Sequence, residues 1–238
     1  MRAGILAALP GELRPLVRRW QAGVVKDGAR RWTHTAGVHT WIAACAGMGA
    51  DAARRALAAA EADGRLDLVL SVGWAGALVP EMHPGNAKRA SAIVDAQTGE
   101  RYPLLSGEPG VAVVTTARVA DAAEKERLRE TYSGAVMVDM EAATVARMAQ
   151  MRGIPIVCIK AVSDGVGAEL PDINRFLSAR GELRMASFLA HLASRPKYWG
   201  SIVQLGRNSS KAAQAMCTLI LEFMERQNME WSNGKGSS

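Results

Sequence analysis

The sequence predicts an α/β fold in a single domain. Short apolar, β-branched runs alternate along the chain with segments whose apolar residues recur at helical spacing. The corners between them carry Gly or Pro, as at Pro10-Gly11, Gly47-Met48-Gly49, Gly73 to Gly76 and Gly153 to Pro155. With 238 residues, 49% of them apolar, the chain can bury one substantial core.

Ala3 to Leu9 reads as the first strand and leads into Pro10-Gly11-Glu12. Leu13, Leu16, Val17 and Trp20 then recur at helical spacing, so a helix starts there with Glu12 at the corner. Gly23 to His39 is polar and Gly-containing, a hairpin edge. Trp41 to Ala46 is the next strand, closed by Gly47-Met48-Gly49. An alanine-rich helix over Ala52 to Ala62 follows, with Asp51 near its start. A Gly-x-Gly between strand and helix is by itself turn geometry, and Met48 within it is a core side chain or a ligand contact. Asp67 to Val72 is a third strand, ending in Gly73-Trp74-Ala75-Gly76. From Glu81 to Pro109 the composition is that of strands joined by irregular loops. Val111 to Thr115 resumes as a strand, and a charged helix runs from Asp121 to Thr131.

The stretch VDMEAATVARMAQMRGIPIVCIKAVSDG, Val138 to Gly165, reads as helix, turn, strand and loop. Asp139 stands where an N-cap would. Ala142, Val145, Met148 and Ala149 form an apolar stripe, and Gly153 followed by Pro155 stops the helix. Ile154 to Ile159 is an apolar run suited to a strand buried on both faces. Open α/β sheets bind ligands at the carboxyl ends of strands, so Glu141 at the start of the helix and Asp164 just past the end of the strand are expected to face one cleft. Near the end of the chain a helix is expected from Ser209 to Arg226, with a broad apolar face from Ala212, Ala213, Ala215, Met216, Leu219, Ile220, Phe223 and Met224. Such a helix packs on its own domain, on a sister subunit or, being basic and amphipathic, on a membrane surface.

Composition excludes several classes. Cys45, Cys158 and Cys217 are scattered and odd in number, which argues against a disulfide framework. They and four isolated histidines have no metal-ligand spacing. The net charge is +6; the segment after Ser194 holds six basic and three acidic residues, half of that excess. No aromatic-interleaved basic stripe accompanies it, so nucleic acid is not an expected partner. The longest run free of Asp, Glu, Lys, Arg and His, Leu68 to Pro80, falls short of the roughly 20 residues of a membrane span. The opening MRAGILAALPGEL is too short in its apolar run for a signal peptide, so a cytoplasmic location is expected.

VDMEAATVA followed by a strand ending in AVSDG resembles the signature of the nucleoside phosphorylase/nucleosidase superfamily, closest to the branch cleaving 5'-methylthioadenosine and S-adenosylhomocysteine. The resemblance implies a three-layer α/β/α domain with a central mixed, twisted sheet over residues 1–194, and a C-terminal helical extension over 195–238. It implies that Met140 packs against base and sugar, Glu141 accepts the ribose hydroxyls, Asp164 protonates the purine at N7 and Ser163 orients Asp164. GILAALPGEL is similar to the family's opening strand and turn, which puts Glu12 where nucleosidases activate water; the plainer role is an acid stabilising a helix start. Gly73 to Gly76 resembles a turn bordering the purine, making Trp74, Ala75 and Gly76 candidate contacts with Met48 on the ribose side. Trp74 replaces a small residue there and either points away or narrows the pocket. The segment that brings partner-subunit aromatics into the site in the family is abbreviated here, with Tyr102 as its remaining aromatic residue. A loop over Val166 to Asn174 and a helix over Phe176 to Leu192 are implied after Asp164.

The implied reaction is hydrolysis of a 5'-modified adenosine with release of adenine, needing no cofactor or metal, by a homodimer or higher homo-oligomer. PGELR is also similar to the turn with which phosphorylases hold phosphate, through Gly11 and Arg14, but Glu12 in that corner would repel a phosphate dianion. The alternatives are a phosphate-dependent purine nucleoside phosphorylase, an adenosylhopane-type enzyme acting on a lipid-linked nucleoside with its C-terminal helix at a membrane, and a nucleoside-binding module without strong catalysis.

Overall fold

A computed structural model describes residues 1–104, 107–168, 172–178, 180–193, 195 and 198–234. The elements in chain order are β1 (Arg2–Ala7), α1 (Pro10–Val17), β2 (Gln21–Ala22), β3 (Arg30–Ala36), β4 (His39–Cys45), α2 (Ala50–Ala60) and β5 (Leu68–Ala77). Then come β6 (Ala87–Arg89), β7 (Ala92–Asp95), β8 (Arg101–Pro103), β9 (Ala112–Thr115), α3 (Ala122–Thr131), β10 (Ala135–Asp139), α4 (Ala142–Arg152) and β11 (Ile156–Asp164). A 3-10 turn (Ile173–Phe176), α5 (Met185–Ala193) and α6 (Trp199–Gly234) complete the described chain.

The strands form one mixed sheet in the order β2-β3-β4-β1-β5-β10-β9-β7-β8, with β11 and then β6 on the other side of β5. The long apolar runs are explained by burial of both faces. Trp41, Ala43 and Cys45 face one core while Ile42, Ala44 and Ala46 face another. Leu68, Leu70 and Val72 alternate with Val69 in the same way. The first core is covered by α1 and α6 and the second by α2 and α4, which makes three layers. On α6, Ala212, Met216, Ile220 and Phe223 recur at helical spacing within that first core, and Phe223 meets Trp41 edge-on at 6.5 Å between ring centroids.

β5 organises the site because it changes partners. Its first half pairs with β1 in parallel as far as Leu6 with Ser71; its end pairs with β10 antiparallel from Gly76. Between these pairings the sheet is split, and Gly73, at φ +149°, bends the strand there. Gly73 to Gly76 is thus strand and not the turn expected from sequence, because β11 pairs alongside it, Lys160 with Gly73 through Asp164 with Gly76.

Other boundaries differ. Val138 and Asp139 end strand β10, so the expected helix-first unit begins with a strand, and Asp139 caps α4 from outside it through Ala142 N–H at 2.9 Å. The helix expected over Phe176 to Leu192 is confined to α5. The polar stretch before it forms a bridge between Leu177 and Leu183 instead. α6 starts ten residues before the expected Ser209 and runs beyond Arg226. The boundary at Ser194, residues 169–171 of the expected loop and the tail from Lys235 lie outside the described residues. No helix among the described residues is long and apolar enough to cross a membrane.

Candidate active site

The split beside β5 opens into a cleft of about 810 Å³. Glu12, Met48, Trp74, Ala75, Gly76, Met140, Glu141, Ser163 and Asp164, the nine residues singled out from sequence, all line it. They arrive from the ends of five strands and the loops that follow: β1, β4, β5 and β11, which run parallel, and β10, which pairs antiparallel with the end of β5 and brings in Met140 and Glu141.

Glu12 lies at the third position of α1 and turns back onto the strand it follows. Its Oε2 accepts N–H groups of Ala8 at 2.8 Å and Leu9 at 2.7 Å. Its Oε1 accepts Trp74 N–H at 2.7 Å, across the split. The plainer role is therefore real, yet the carboxylate also bridges two strands at the cleft. Of roughly four acceptor positions on a carboxylate, three are taken, leaving one for a water. Burial raises its pKa above the usual 4.5, against the N–H groups of Leu9 and Trp74, the charge of Lys160 and the N–H of Ala8. A Cβ at Gly73 would lie 2.9 Å from Glu12 Oε1. Gly73→Ala is accordingly expected to displace the carboxylate and strain the bend, costing about 1–3 kcal/mol in urea unfolding.

Glu141 stands immediately before α4, and its Oε1 accepts Gly49 N–H at 2.5 Å, at the start of α2. Gly49 presents that N–H from φ +86°, a conformation that gives the Gly-Met-Gly loop a stated purpose. Burial and the neighbouring Asp139 push the Glu141 carboxyl up to about 8, against Lys160 and the Gly49 N–H, with Glu12 adding to the rise.

Beneath these acids lies a buried ion pair, Lys160 Nζ to Asp139 Oδ2 at 2.7 Å, with both side chains essentially inaccessible. Asp139 also accepts Thr115 Oγ–H at 2.6 Å and Ala142 N–H, and Thr115 Oγ accepts Ala143 N–H at 2.9 Å. These bonds tie the ends of β9, β10 and β11 to the start of α4 and present Met140 and Glu141 to the cleft. Burial alone would lower the Lys160 pKa, but Asp139, Cys158 and Glu141 raise it, so it stays charged.

Asp164 is held on both oxygens. Ser163 Oγ–H donates to Oδ1 at 2.7 Å, and the Lys125 ammonium donates to Oδ2 and, at 2.7 Å, to Gly165 O. Trp74 does not point away from the cleft. Its ring edge lies over Gly11, where a Cβ would meet it at 3.0 Å, and the indole lines one wall. Tyr102 lies elsewhere, its hydroxyl on Glu100 and Arg147.

Lys125, Lys160 and the α6 wall (Ile202, Leu205, Ser209, Ala213) were not picked out as site residues from sequence. Lys160 carried a signal, a lone charge inside a strand buried on both faces. Lys125 carried none, because it stands among equally charged neighbours on α3. Among the described residues no three His, Cys, Asp or Glu side chains converge as a metal site.

Comparison with known proteins identifies the fold. Solved structures sharing the fold include S-adenosylhomocysteine nucleosidase from Streptococcus pyogenes in complex with 5-methylthiotubericidin (TM-score 0.70, 17% identity, 95% of this chain and 97% of that one). Another is 5'-methylthioadenosine/S-adenosylhomocysteine nucleosidase from Neisseria meningitidis in complex with methylthio-immucillin-A (TM-score 0.71, 16%, 94% and 99%). A third is futalosine hydrolase of Helicobacter pylori strain 26695 (TM-score 0.68, 16%, 95% and 98%). The architecture is thus nucleoside phosphorylase-like. The family model for the phosphorylase superfamily matches residues 2–108 and 105–194, and the chain belongs to that superfamily. A curated relative, futalosine hydrolase of Streptomyces coelicolor, is 31% identical over 134 residues. That match covers 44% of this chain and 57% of the relative, so the chain spans little more than half the relative's length.

Proposed function

We propose that this protein hydrolyses the N-glycosidic bond of a 5'-modified adenosine and releases adenine. The observation that carries the reading is that Glu12, Glu141 and Asp164, distant in sequence, line one cleft with Met140 and Ser163 between them. Cleavage requires a proton for the departing base and relief of positive charge on the ribose. Asp164, oriented by Ser163, gives the proton to N7; ionised Glu141 accepts the ribose hydroxyls; Glu12 takes a proton from the attacking water through its one open acceptor position. Both glutamates must be ionised and both are shifted upward, so kcat/KM is expected to fall as pH is lowered below about 8. A profile flat from pH 6 to 8 would count against Glu141's role.

Adenine release from methylthioadenosine, followed with and without inorganic phosphate, tests the reaction. Hydrolysis predicts equal rates, whereas a phosphorylase needs the anion. Futalosine serves as a second substrate.

A second reading, a nucleoside bearing a long apolar 5' group, is favoured by α6. Ile202, Leu205 and Ala213 wall the cleft, and Trp199 and Val203 beside them are more than half exposed. Higher kcat/KM for nucleosides with longer alkyl 5' groups than for methylthioadenosine would support it.

A further inference from the structure

Lys125 is the least exposed of the cations that line the cleft itself. It projects from α3, is 2% exposed as a residue, and lines the cavity next to Asp164. Its stem fits because Gly76 has no side chain: a Cβ there would lie 2.8 Å from Lys125 Cε and 3.1 Å from Asp164 Oδ2. The ammonium has two acceptors, Asp164 Oδ2 and Gly165 O. A lysine that merely filled space would not need its head desolvated against the one acid assigned to the leaving base.

We propose that Lys125 is the positioning residue that supplies, through Asp164, the proton required by the departing purine. The inference rests on the reading of Asp164 as proton donor to the base. As the C1'–N9 bond breaks, its electron pair passes to the purine, and N7 takes a proton from Asp164. The Asp164 carboxylate, ionised in its pair with Lys125, receives that proton from the ammonium as it passes it on, leaving a neutral amine at Lys125 and a carboxylate at Asp164. The proton that Glu12 removes from water returns through solvent once adenine leaves, so the cycle closes with no other reactant.

Arginine keeps the charge but does not release its proton. Lys125→Arg is therefore expected to retain the ion pair and fold, yet to lose on the order of 100-fold in kcat for methylthioadenosine. Lys125→Met, lacking both, should lose as much. Neither should lose more than a few-fold on two substrates whose leaving groups need no proton, N7-methylated methylthioadenosine and 4-nitrophenyl ribofuranoside. Rescue by arginine, equal losses on all three substrates, or wild-type rates in Lys125→Met would each overturn the proposal. Absence of nucleoside cleavage by the wild-type protein would instead retire the hydrolase reading on which it stands.

Discussion

Asp164→Asn is expected to lower turnover of methylthioadenosine at least 100-fold and, because it leaves the buried Lys125 ammonium without its counter-ion, to lower stability as well. The asparagine oxygen can still accept from Lys125 while its amide donates to Ser163 Oγ, so hydrogen bonds persist, but the charge and the transferable proton are gone. Glu12→Gln should cost at least as much turnover but is not silent in the fold. Both Glu12 oxygens accept backbone N–H groups, from Ala8 and Leu9 on one side and Trp74 on the other. Whichever way the glutamine amide turns, its NH2 meets a donor, which costs about 1–3 kcal/mol. Measured at a temperature where each variant is native, both should have lost at least 100-fold in turnover, which separates the loss of chemistry from the loss of stability. Near-wild-type rates in both would remove the enzyme reading.

The largest stability effect is expected at Lys160. Lys160→Met leaves Asp139 without its cation in a site where the carboxylate side chain is fully buried, and losing one partner of such a pair costs about 3–5 kcal/mol. Denaturant unfolding measures it. Because Asp139 also holds Thr115 and the start of α4, the ends of β9 and β10 should loosen with it. Adding Asp139→Asn removes the orphaned charge and should recover part of the loss. If Lys160→Met unfolds like the wild type, the pair contributes nothing to the frame of the cleft.

Most of the architecture was legible because each strand buried on both faces leaves an unbroken apolar run, as at Trp41 to Ala46, and each helix leaves a spaced stripe. That the nine candidate residues would share one cleft was legible through the resemblance carried by short motifs at strand ends. What escaped notice depends on tertiary pairing. Gly73 to Gly76 looks like a turn locally, and only β11 alongside makes it strand. The role of α6 as a wall of the cleft is invisible to its own amphipathic pattern, which says that a face is buried but not against what. Lys125 is indistinguishable in sequence from the charges around it; its burial is set by Gly76, some fifty residues earlier.

The account depends on three carboxyl groups acting on one sugar–base bond. A crystal structure with a non-hydrolysable adenosine analogue tests this most directly. It should show purine N7 within hydrogen-bonding reach of Asp164, both ribose hydroxyls on Glu141, and a water between Glu12 and the anomeric carbon. A nucleoside bound with its base away from Asp164, or with Glu12 facing no water and no sugar, would contradict it.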